Sequence, residues 1–424
     1  MPDTLSLEAR LVKNDRRVSE PELVIVGGGI AGGALATVMA RSGASVLVLE
    51  RQLEYRDQVR GEILWPWGAQ VARRLGIESV LLDAGALVVR WLDTYDEGAG
   101  GPTRDDVGAA VDGISGSINV THPTACAALA EAAVAAGATV FFGVREIRVS
   151  PGKQPLVRWV SDNGEKQEAR CELIVGADGR RSSVRSQALI PFEVDEPAHL
   201  MAGMLAEGVE GIAAEVNLMA RESDLLFFSF PEESGRTRLY LCFPTAQRSR
   251  FAGREGAQRF LEASGLACLN GVAGLERARP AGPCATFPGE DSRAPVPLGE
   301  GVVLIGDAAG YENPLQGQGL SMALQDAHDV STALLSESPP TKALEQYAAA
   351  RAVRQRLGNL GVALEVWAND GFVVQDPEQR ASRYEHVRND DVLAALELSY
   401  ATGFATLPQD LTHTELAARL EAGC

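Results

Sequence analysis

Residues 22–51 read ELVIVGGGIAGGALATVMARSGASVLVLER, and this stretch decides the fold. Leu23–Val26 is an apolar run that ends at Gly27, as expected of a strand buried on both faces. The small and apolar residues of Ile30–Arg41 predict a helix, and Ser45–Leu49 predicts a second buried strand. A strand, a helix and a strand within about thirty residues indicate an α/β dinucleotide-binding unit.

The turn between the first strand and the helix carries the glycine pattern GxGxxG. Gly27 allows a tight turn, Gly29 lets the backbone approach a pyrophosphate, and Gly32 lets the helix pack closely on the strand. Glu50 closes the second strand about twenty residues later, where its carboxylate can accept hydrogen bonds from ribose hydroxyls. The residues predicted to contact the dinucleotide in this unit are Gly27, Gly29, Ile30, Ala31, Gly32, Glu50 and Arg51.

Length and charge narrow the class of protein. The 424 residues suffice for one large domain or two interleaved ones. The formal net charge of -18 argues against a nucleic-acid partner, because such binding depends on clustered Lys and Arg. No apolar run approaches the eighteen or so residues of a membrane span, and the N-terminus lacks the apolar core of a secretion signal. We therefore expect a soluble cytoplasmic protein with residues 1–20 as a flexible extension.

Cysteine and histidine spacing gives no sign of a metal site. The six cysteines are scattered without a CxxC pair, and the five histidines form no HxxxH or HExxH pattern. Metal sites and disulfide frameworks usually show such regular spacing. We expect reduced, mostly buried cysteines and no bound metal.

The remaining chain alternates between two kinds of predicted structure. An alanine-rich helix at residues 123–136 and buried strands near 139–142, 171–175 and 302–305 continue the α/β pattern. Short strand-like runs between residues 187 and 290, such as Leu225–Phe230 and Arg238–Phe243, indicate an inserted antiparallel sheet.

Two other stretches have a different character. Residues 320–367 are largely helical in pattern, and the glycine-rich, acidic residues 97–116 predict a mobile loop. The predicted division is a dinucleotide-binding domain at 21–80, 118–186 and 291–335, a substrate domain at 81–117 and 187–290, and a C-terminal helical region at 336–424.

Three further segments carry motifs: DQVRGEILWPWG at 57–68, IVGADGRRSSVR at 174–185 and VLIGDAAGYENPLQGQG at 303–319. In this order around a single GxGxxG, they resemble the single-component FAD-dependent monooxygenases of the para-hydroxybenzoate hydroxylase type. The resemblance extends from residue 22 to residue 335 and is weak between 187 and 290. It implies a Rossmann-like FAD-binding domain with an inserted antiparallel β-sheet and C-terminal helices.

The resemblance assigns roles to three polar residues outside the first unit. Asp307 would accept a hydrogen bond from the FAD ribityl chain, although a turn or capping aspartate is the structural alternative. Asp178 would contribute to FAD and nicotinamide binding, with an Asx-turn as its alternative. Arg60 would meet the FAD phosphate or adenosine, or else form a surface salt bridge.

The GQG segment of the third motif precedes a predicted helix. Glycines there free the helix N-terminus to approach the pyrimidine edge of the flavin, where its positive end would stabilise reduced, negatively charged flavin. Pro314 offers a carbonyl and no N–H donor. The resemblance thus assigns catalysis to Pro314, Gly317 and Gln318, and cofactor contacts to Gly306, Pro314, Gly317, Gln318, Gly319 and Leu320.

This sequence departs from the family pattern at three positions. His122 stands where relatives usually carry Arg or Gln, and it either contacts FAD or acts as a capping or core histidine. Gly310 replaces the common histidine after GDAA, and Ser321 replaces the asparagine after GQG. The form GDAAGxxNP is also similar to geranylgeranyl reductases and flavin-dependent halogenases, so a reductase stays open as an alternative.

Lysine content disfavours halogenation. Flavin halogenases need a buried lysine downstream of the first unit, and residues 51–152 contain none of the four lysines. The WxWxIP element of tryptophan halogenases is absent, and Trp65 and Trp67 fall instead in WPWG. A flavin-binding scaffold or sensor without enzymatic activity is the remaining alternative.

The resemblance also implies a reaction. NAD(P)H, bound transiently without a domain of its own, would reduce FAD, and O2 would then form a flavin C4a-hydroperoxide that oxygenates an aromatic or polyketide-like small molecule. The residue that activates the substrate is not determined. Tyr240 and His199 lie in the predicted substrate domain, and Glu62 has a catalytic or a supporting role.

Overall fold

The computed structural model describes residues 20–57, 59, 61–97, 101–272, 274–275, 277–369 and 376–422. Its strands are β1 (Leu23–Val26), β2 (Val46–Leu49), β3 (Ile63–Leu64), β4 (Leu87–Val89), β5 (Trp91–Asp96), β6 (Thr103–Asp106), β7 (Ser117–Asn119), β8 (Thr139–Phe141), β9 (Arg145–Ser150), β10 (Leu156–Val160), β11 (Lys166–Arg170), β12 (Leu173–Gly176), β13 (Glu193–Val194), β14 (His199–Glu207), β15 (Val216–Glu222), β16 (Leu225–Pro231), β17 (Arg236–Phe243), β18 (Arg279–Pro280), β19 (Ala285–Gly289), β20 (Ser292–Arg293), β21 (Leu298–Gly299) and β22 (Val302–Leu304).

The helices are α1 (Ile30–Arg41), α2 (Pro66–Arg74), α3 (Glu78–Asp83), α4 (His122–Ala135), α5 (Ser183–Gln187), α6 (Gly256–Ser264), α7 (Gly319–Leu335), α8 (Pro340–Ala368), α9 (Pro377–Asn389), α10 (Asp391–Glu397), α11 (Ser399–Thr402) and α12 (His413–Glu421). Short 3-10 turns include Gly306–Ala308 and Pro314–Gln316.

A six-stranded sheet in the order β21-β22-β12-β1-β2-β8 forms the first layer. β1 lies between β12 and β2 and is parallel to both. All residues of β1, β2 and β12 are buried, as their continuous apolar sequences predict. The chain leaves the centre of the sheet in both directions from β1, so the carboxyl end of β1 is the switch point at which α/β sheets bind ligands.

An eight-stranded sheet forms the second layer, in the order β18-β14-β17-β16-β15-β5-β6 with β19 beside β14. Its strands pair antiparallel except for β15 and β5. Side chains alternate between its faces: Phe227 and Leu241 join the core around α6, whereas Phe230 and Tyr240 join the core shared with the first layer. The predicted inserted antiparallel sheet is confirmed.

The loop prediction for residues 97–116 is wrong for β6. Thr103–Asp106 pairs antiparallel with β5, and Val107–Ala109 forms a 3-10 turn. Arg104 forms a bidentate ion pair with Asp93 of β5 at 2.7 Å, which suits an exposed edge strand of charged residues. Polar composition resembled a loop, while cross-strand pairing decided the structure.

Three small sheets lie outside the sequence predictions, and one of them is the antiparallel pair of β13 and β20. β9, β10 and β11 form an antiparallel meander, and β3, β7 and β4 form a three-stranded sheet. The predicted domain boundary at residue 118 falls inside β7. The division into domains stays a prediction.

Helices close the molecule at its C-terminal end, as predicted. α8 packs against α7 and α10, and the segment around α11 covers two tryptophans of WPWG. Trp65 meets Tyr400 edge-on at 4.6 Å between ring centroids, and Trp67 meets Phe404 at 5.7 Å. The described cysteines are free thiols. Across the described ranges, no helix combines the length and the apolar character needed to cross a bilayer.

Candidate cofactor and substrate site

The glycine turn after β1 has the geometry that its motif predicts. Gly27 has φ +103°, and a Cβ there would lie 2.3 Å from the carbonyl oxygen of Ala177. A Cβ on Gly32 would lie 2.0 Å from the carbonyl oxygen of Gly27, so only glycine allows α1 to pack this closely. A Cβ on Gly29 would meet no described atom within 4 Å, which leaves space beside the backbone at this position.

Glu50 is buried directly beside this turn. One carboxylate oxygen accepts the Gly28 N–H and the other accepts the Gln52 N–H, each at 2.8 Å. Sequence reasoning missed Tyr55, whose hydroxyl donates to the Gly28 carbonyl at 2.7 Å. Each carboxylate oxygen retains a second acceptor position, so these contacts leave room for the predicted ribose hydroxyl. Arg51 is exposed at the same end of the sheet.

The GD segment, Gly306–Asp307, contacts the first turn of α1. Asp307 is half-buried in the 3-10 turn that follows β22. Gly306 has φ +57°, and a Cβ there would lie 3.0 Å from the Cβ of Ala31. The Gly306 N–H donates to Asp326 of α7 at 2.9 Å. The fold therefore brings Ala31 and Gly306, which are far apart in the sequence, into contact.

The GQG segment forms a sharp turn at the N-terminus of α7. Gly317 is left-handed, with φ +63°, and the Trp65 ring N–H donates to the Gln316 carbonyl at 2.8 Å. A Cβ on Gly317 would lie 3.2 Å from Ile63, and a Cβ on Gly61 would lie 3.5 Å from Leu320. The strand that follows the RGE element therefore runs along this turn.

The residues present fit a bound FAD. Both α1 and α7, which are described in full, begin without a side-chain cap and without an acidic residue in the first turn, so their N–H groups are free for anions. Among the described atoms, Gln318 Oε1 and Gln316 Nε2 are buried without a hydrogen-bond partner. Open space beside Gly29 and Gly319 completes a cradle that suits a pyrophosphate and a flavin ring.

Of three other residues predicted to bind the cofactor, two make contacts within the protein and one lies outside the described residues. The Asp178 carboxylate accepts the Ser182 hydroxyl at 2.5 Å and the Ser183 N–H at 2.6 Å, so it holds the start of α5. His122 begins α4 and lies 3.6 Å from the Cys126 thiol. Arg60 lies outside the described residues. The cofactor roles of all three stay predictions.

The departures at Gly310 and Ser321 have steric reasons. A Cβ on Gly310 would lie 2.5 Å from the Ser292 carbonyl oxygen, so this backbone excludes the histidine that relatives carry. Ser321 is fully buried against Gly68, whose missing side chain makes room for it. Both substitutions therefore belong to packing between neighbouring segments.

A buried cluster of charged residues connects the RGE element to the antiparallel sheet. The Tyr240 hydroxyl donates to Glu62 at 2.5 Å, and Arg238 forms ion pairs with Glu62 at 3.1 Å and with Asp57 at 2.8 Å. Burial raises the pKa of Glu62 to about 8 although Arg238 lowers it, and burial raises the pKa of Glu232 to about 7. Near neutral pH, this cluster therefore holds protons that ordinary carboxylates would have lost.

The sheet face beside this cluster is a row of aromatic rings. Phe228 stacks with Phe230 at 6.0 Å, Phe230 meets Tyr240 at 6.2 Å, and Tyr240 meets Phe287 edge-on at 6.5 Å. Phe228, Phe287 and Met219 are only partly buried. His199 is fully buried beside Gly289, where burial lowers its pKa to about 4 and keeps it neutral. The aromatic row thus offers an apolar surface next to Glu62, which Tyr240 contacts.

Comparison with known proteins gives the following matches. A family model described as FAD binding domain matches residues 20–357. Squalene monooxygenase of Rattus norvegicus is 26% identical over 326 residues, which cover 73% of this chain and 54% of that protein. The chain thus spans about half the length of the curated relatives it matches.

Solved structures share the fold. PqsL of Pseudomonas aeruginosa, described as a probable FAD-dependent monooxygenase, is similar with a TM-score of 0.68 at 23% identity, over 87% of this chain and 100% of that one. The flavin-dependent brominase Bmp2 is similar with a TM-score of 0.73 at 15% identity, over 95% of this chain and 98% of that one. At these identities the likeness establishes the fold and leaves the reaction open.

Proposed function

Since the chain belongs to the FAD-binding domain family, we propose that it is an FAD-dependent monooxygenase. It uses NAD(P)H and O2 to hydroxylate or epoxidise an aromatic or polyketide-like small molecule. Bound FAD supplies electron transfer from NAD(P)H and the activation of O2. The similarity to squalene monooxygenase over 73% of this chain supports an oxygenation.

The observation that carries the substrate class is the aromatic row of Phe228, Phe230, Tyr240 and Phe287, in which Phe228 and Phe287 are partly exposed. Aromatic rings bind apolar planar molecules through stacked and edge-to-face contacts. PqsL was solved with 2-aminobenzoylacetate, an aromatic ligand, on a similar fold. The row lies in one continuous core with Ile63 and Trp65, which border the GQG turn. We therefore assign the row as the surface that orients the substrate ring.

Residues of the GQG turn and the start of α7 stabilise the charge of the reduced cofactor and line its binding site. The N–H groups at the start of α7, at Gly319 and Leu320, stabilise negative charge on the reduced cofactor, and Gly317 shapes the turn before them by donating its own N–H to the Pro314 carbonyl. Pro314 places a carbonyl and no N–H donor on the same side. These residues and Gln318 form the catalytic face of the proposal.

Glu62 and Tyr240 supply proton handling at the substrate face. The Tyr240 hydroxyl donates a hydrogen bond to Glu62, and its oxygen can also accept a hydrogen bond from a substrate hydroxyl. A base whose pKa is near the working pH transfers protons more effectively than an ordinary carboxylate. The pKa of about 8 at Glu62 suits this role.

Cofactor binding follows the predicted residues. The turn at Gly27 and Gly29 and the start of α1, which packs closely at Gly32, receive the pyrophosphate, Glu50 the ribose and Asp307 the ribityl chain. Asp178, by capping α5, shapes the surface along which NAD(P)H approaches.

The test is oxygen incorporation by the FAD-loaded protein. NADH and NADPH are supplied separately under ¹⁸O2, with 1-naphthol, a tricyclic anthrone and squalene as alternative substrates. We expect substrate-stimulated NAD(P)H oxidation and one ¹⁸O atom in a product. Phe228→Ala should raise the KM for that substrate about tenfold while FAD stays bound, since it removes one exposed ring of the row.

Other outcomes identify the alternative functions. Anaerobic reduction of a substrate double bond would establish a reductase instead. A flavin that NAD(P)H fails to reduce with every substrate present would indicate a binding scaffold. NAD(P)H oxidation without ¹⁸O in any product would contradict the proposed substrate class.

A further inference from the structure

One face of α8 packs along residues 304–316, the segment that runs from the end of β22 to the GQG turn. The face consists of residues spaced by three or four positions, which therefore lie on one side of a helix. Tyr347, Arg351 and Gln355 donate to the carbonyl oxygens of Leu304, Gly310 and Ser292 at 2.7, 3.1 and 2.7 Å. Gly358 and Gly361 provide the space that Glu312 and Gln316 occupy.

Arg351 is the centre of this face and is almost fully buried. Its Nε donates to Asp326 at 2.9 Å, and its Nη2 reaches the carbonyl of Gly310 at 3.1 Å and, more loosely, that of Gly306 at 3.5 Å. Asp326 in turn accepts the Gly306 N–H at 2.9 Å. Arg351 and Asp326 together therefore hold Gly306 and Gly310, which bracket Asp307.

A second buried arginine, on α5, contacts the same turn. Arg185 of α5 donates through Nη1 to the Ala308 carbonyl at 2.8 Å and through Nη2 to the Arg180 carbonyl at 3.0 Å. The start of α5 is held by the Asp178 carboxylate and the Ser182 hydroxyl. Arg185 thus links the segment that begins with Asp178 and Gly179 to the turn that begins with Gly306 and Asp307.

We propose that Arg185 and Arg351 are positioning residues that fix the Gly306–Gly310 turn, so that Asp307 and the neighbouring N–H groups face FAD. Charged donors form the stronger class of hydrogen bonds, and burial of both arginines strengthens them further. Arginine side chains thus reach the carbonyl oxygens of Gly306, Ala308 and Gly310, and the Ala294 N–H holds that of Ala309, so the backbone of the turn is fixed on both sides of Asp307. This inference concerns FAD binding and holds whether or not the proposed oxygenation is correct.

The chain provides a matched control in Arg354. Arg354 pairs with the same Asp326 at 3.2 Å and with Asp329 at 2.7 Å. Both of these partners belong to α7, whereas Arg351 also reaches the turn. Arg354→Gln therefore removes a cation from the same carboxylate while the carbonyl contacts of Arg351 remain.

The experiment measures FAD affinity by titrating deflavinated protein, together with thermal unfolding of the same samples. We expect Arg351→Gln and Arg185→Gln each to raise the FAD Kd about tenfold or more, which is about the size expected for one charged hydrogen bond. Arg354→Gln should change the FAD Kd less than threefold. The double variant should lose less than the product of the single losses, because both arginines act on one turn.

The lysine variants separate positioning from general stability. Arg351→Lys keeps a cation for Asp326 but lacks the fork that reaches the carbonyls. It should recover the thermal stability of the wild type while the FAD Kd stays raised, and Arg185→Lys should behave alike. If the lysine variants bind FAD as the wild type does, or if Arg354→Gln weakens FAD as much as Arg351→Gln, the assignment is overturned. Failure of the glutamine variants to fold leaves the decision to the lysine variants.

Discussion

At the scale of single residues, Gly29 and Gly32 of the first turn face different surroundings. A methyl group on Gly32 would lie 2.0 Å from a backbone oxygen, whereas one on Gly29 would meet no described atom. Gly32 therefore serves packing within the protein, and Gly29 leaves the space in which we propose that the ligand approaches. The GxGxxG spacing already predicted these different roles, and the structure shows the close packing at Gly32 and the open space beside Gly29.

We predict opposite effects for alanine at these two positions. Gly32→Ala should lower the free energy of unfolding of the apoprotein by about 1–3 kcal/mol, the range for overpacking. Gly29→Ala should lower it by less than about 1 kcal/mol but raise the FAD Kd about tenfold, since the methyl group occupies the phosphate path. Denaturant unfolding and FAD titration of both variants check this. Equal loss of stability in the two would contradict the distinction.

Glu62 has a raised pKa that gives stability a definite pH dependence. The pKa is about 8 in the folded protein, above its ordinary value, so the folded state binds the proton more tightly than the unfolded chain does. Its contribution is fully present below the unfolded pKa and is lost as pH rises toward 8.

We therefore predict that wild-type stability falls between about pH 5 and pH 8 by an amount that Glu62→Gln reduces, since each unit of pKa shift corresponds to about 1.4 kcal/mol. Denaturant unfolding at pH 5.5, 7 and 8.5 measures the difference between the two proteins. Parallel curves would show that Glu62 does not titrate in this range. Glu232, whose pKa is raised to about 7, contributes a residual slope in the variant.

At the scale of elements, the orientation of α7 matters more than any one of its side chains. Its N-terminus follows the GQG turn, and its C-terminus ends at exposed Leu335. The helix dipole therefore presents its positive end to the cofactor side. This depends on the turn at Gly317, whose left-handed backbone directs the chain from the 3-10 turn into the helix.

A charge placed at either end of α7 tests the dipole. Leu320→Asp in the first turn should make the flavin midpoint potential more negative by roughly 10–40 mV, because a carboxylate there opposes the negative charge of reduced flavin. Leu335→Asp at the far end should leave the potential unchanged. Spectroelectrochemical titration of the two FAD-loaded variants gives both values. A shift of the same size in both variants would rule out a local effect of the helix terminus.

At the scale of the whole molecule, the C-terminal helices pack against the residues that hold the GQG turn. Phe404 and Tyr400 cover Trp67 and Trp65, and Trp65 donates to the GQG turn. The last part of the chain thus supports a turn more than eighty residues earlier in the sequence. A cofactor site read only from the motifs omits this support.

Removal of the Phe404 ring should therefore weaken the binding of FAD as well as the stability of the fold. Phe404→Ala should destabilise the protein by about 3–5 kcal/mol, the usual cost of a buried aromatic, and should also weaken FAD binding. Leu398→Ala, on an exposed residue of the same segment, should change both by little. Tryptophan fluorescence during unfolding and FAD titration measure the two effects. Unchanged FAD affinity in Phe404→Ala would show that the contact between Phe404 and Trp67 stabilises the fold but does not support FAD binding.

Prediction from sequence succeeded where the pattern is local. The buried strands, α1, the antiparallel insertion and the C-terminal helices follow from runs of apolar residues and their spacing. It failed at β6, where polar residues gain a partner strand, and it missed the meander of β9–β11. Tyr55 carried no motif that marked it, although an aromatic residue soon after Glu50 was visible in the sequence.

The sequence by itself determined the dinucleotide-binding unit and the order of the motifs, because each depends on residues within about thirty positions of one another. Tertiary structure decided which distant groups meet: Glu62 with Tyr240 across 178 residues and Arg185 with Ala308 across 123. These contacts depend on sheet register and helix packing, which place partners through the whole core rather than through local spacing. The charge state of Glu62 has the same origin, since burial sets it and no single segment provides that burial.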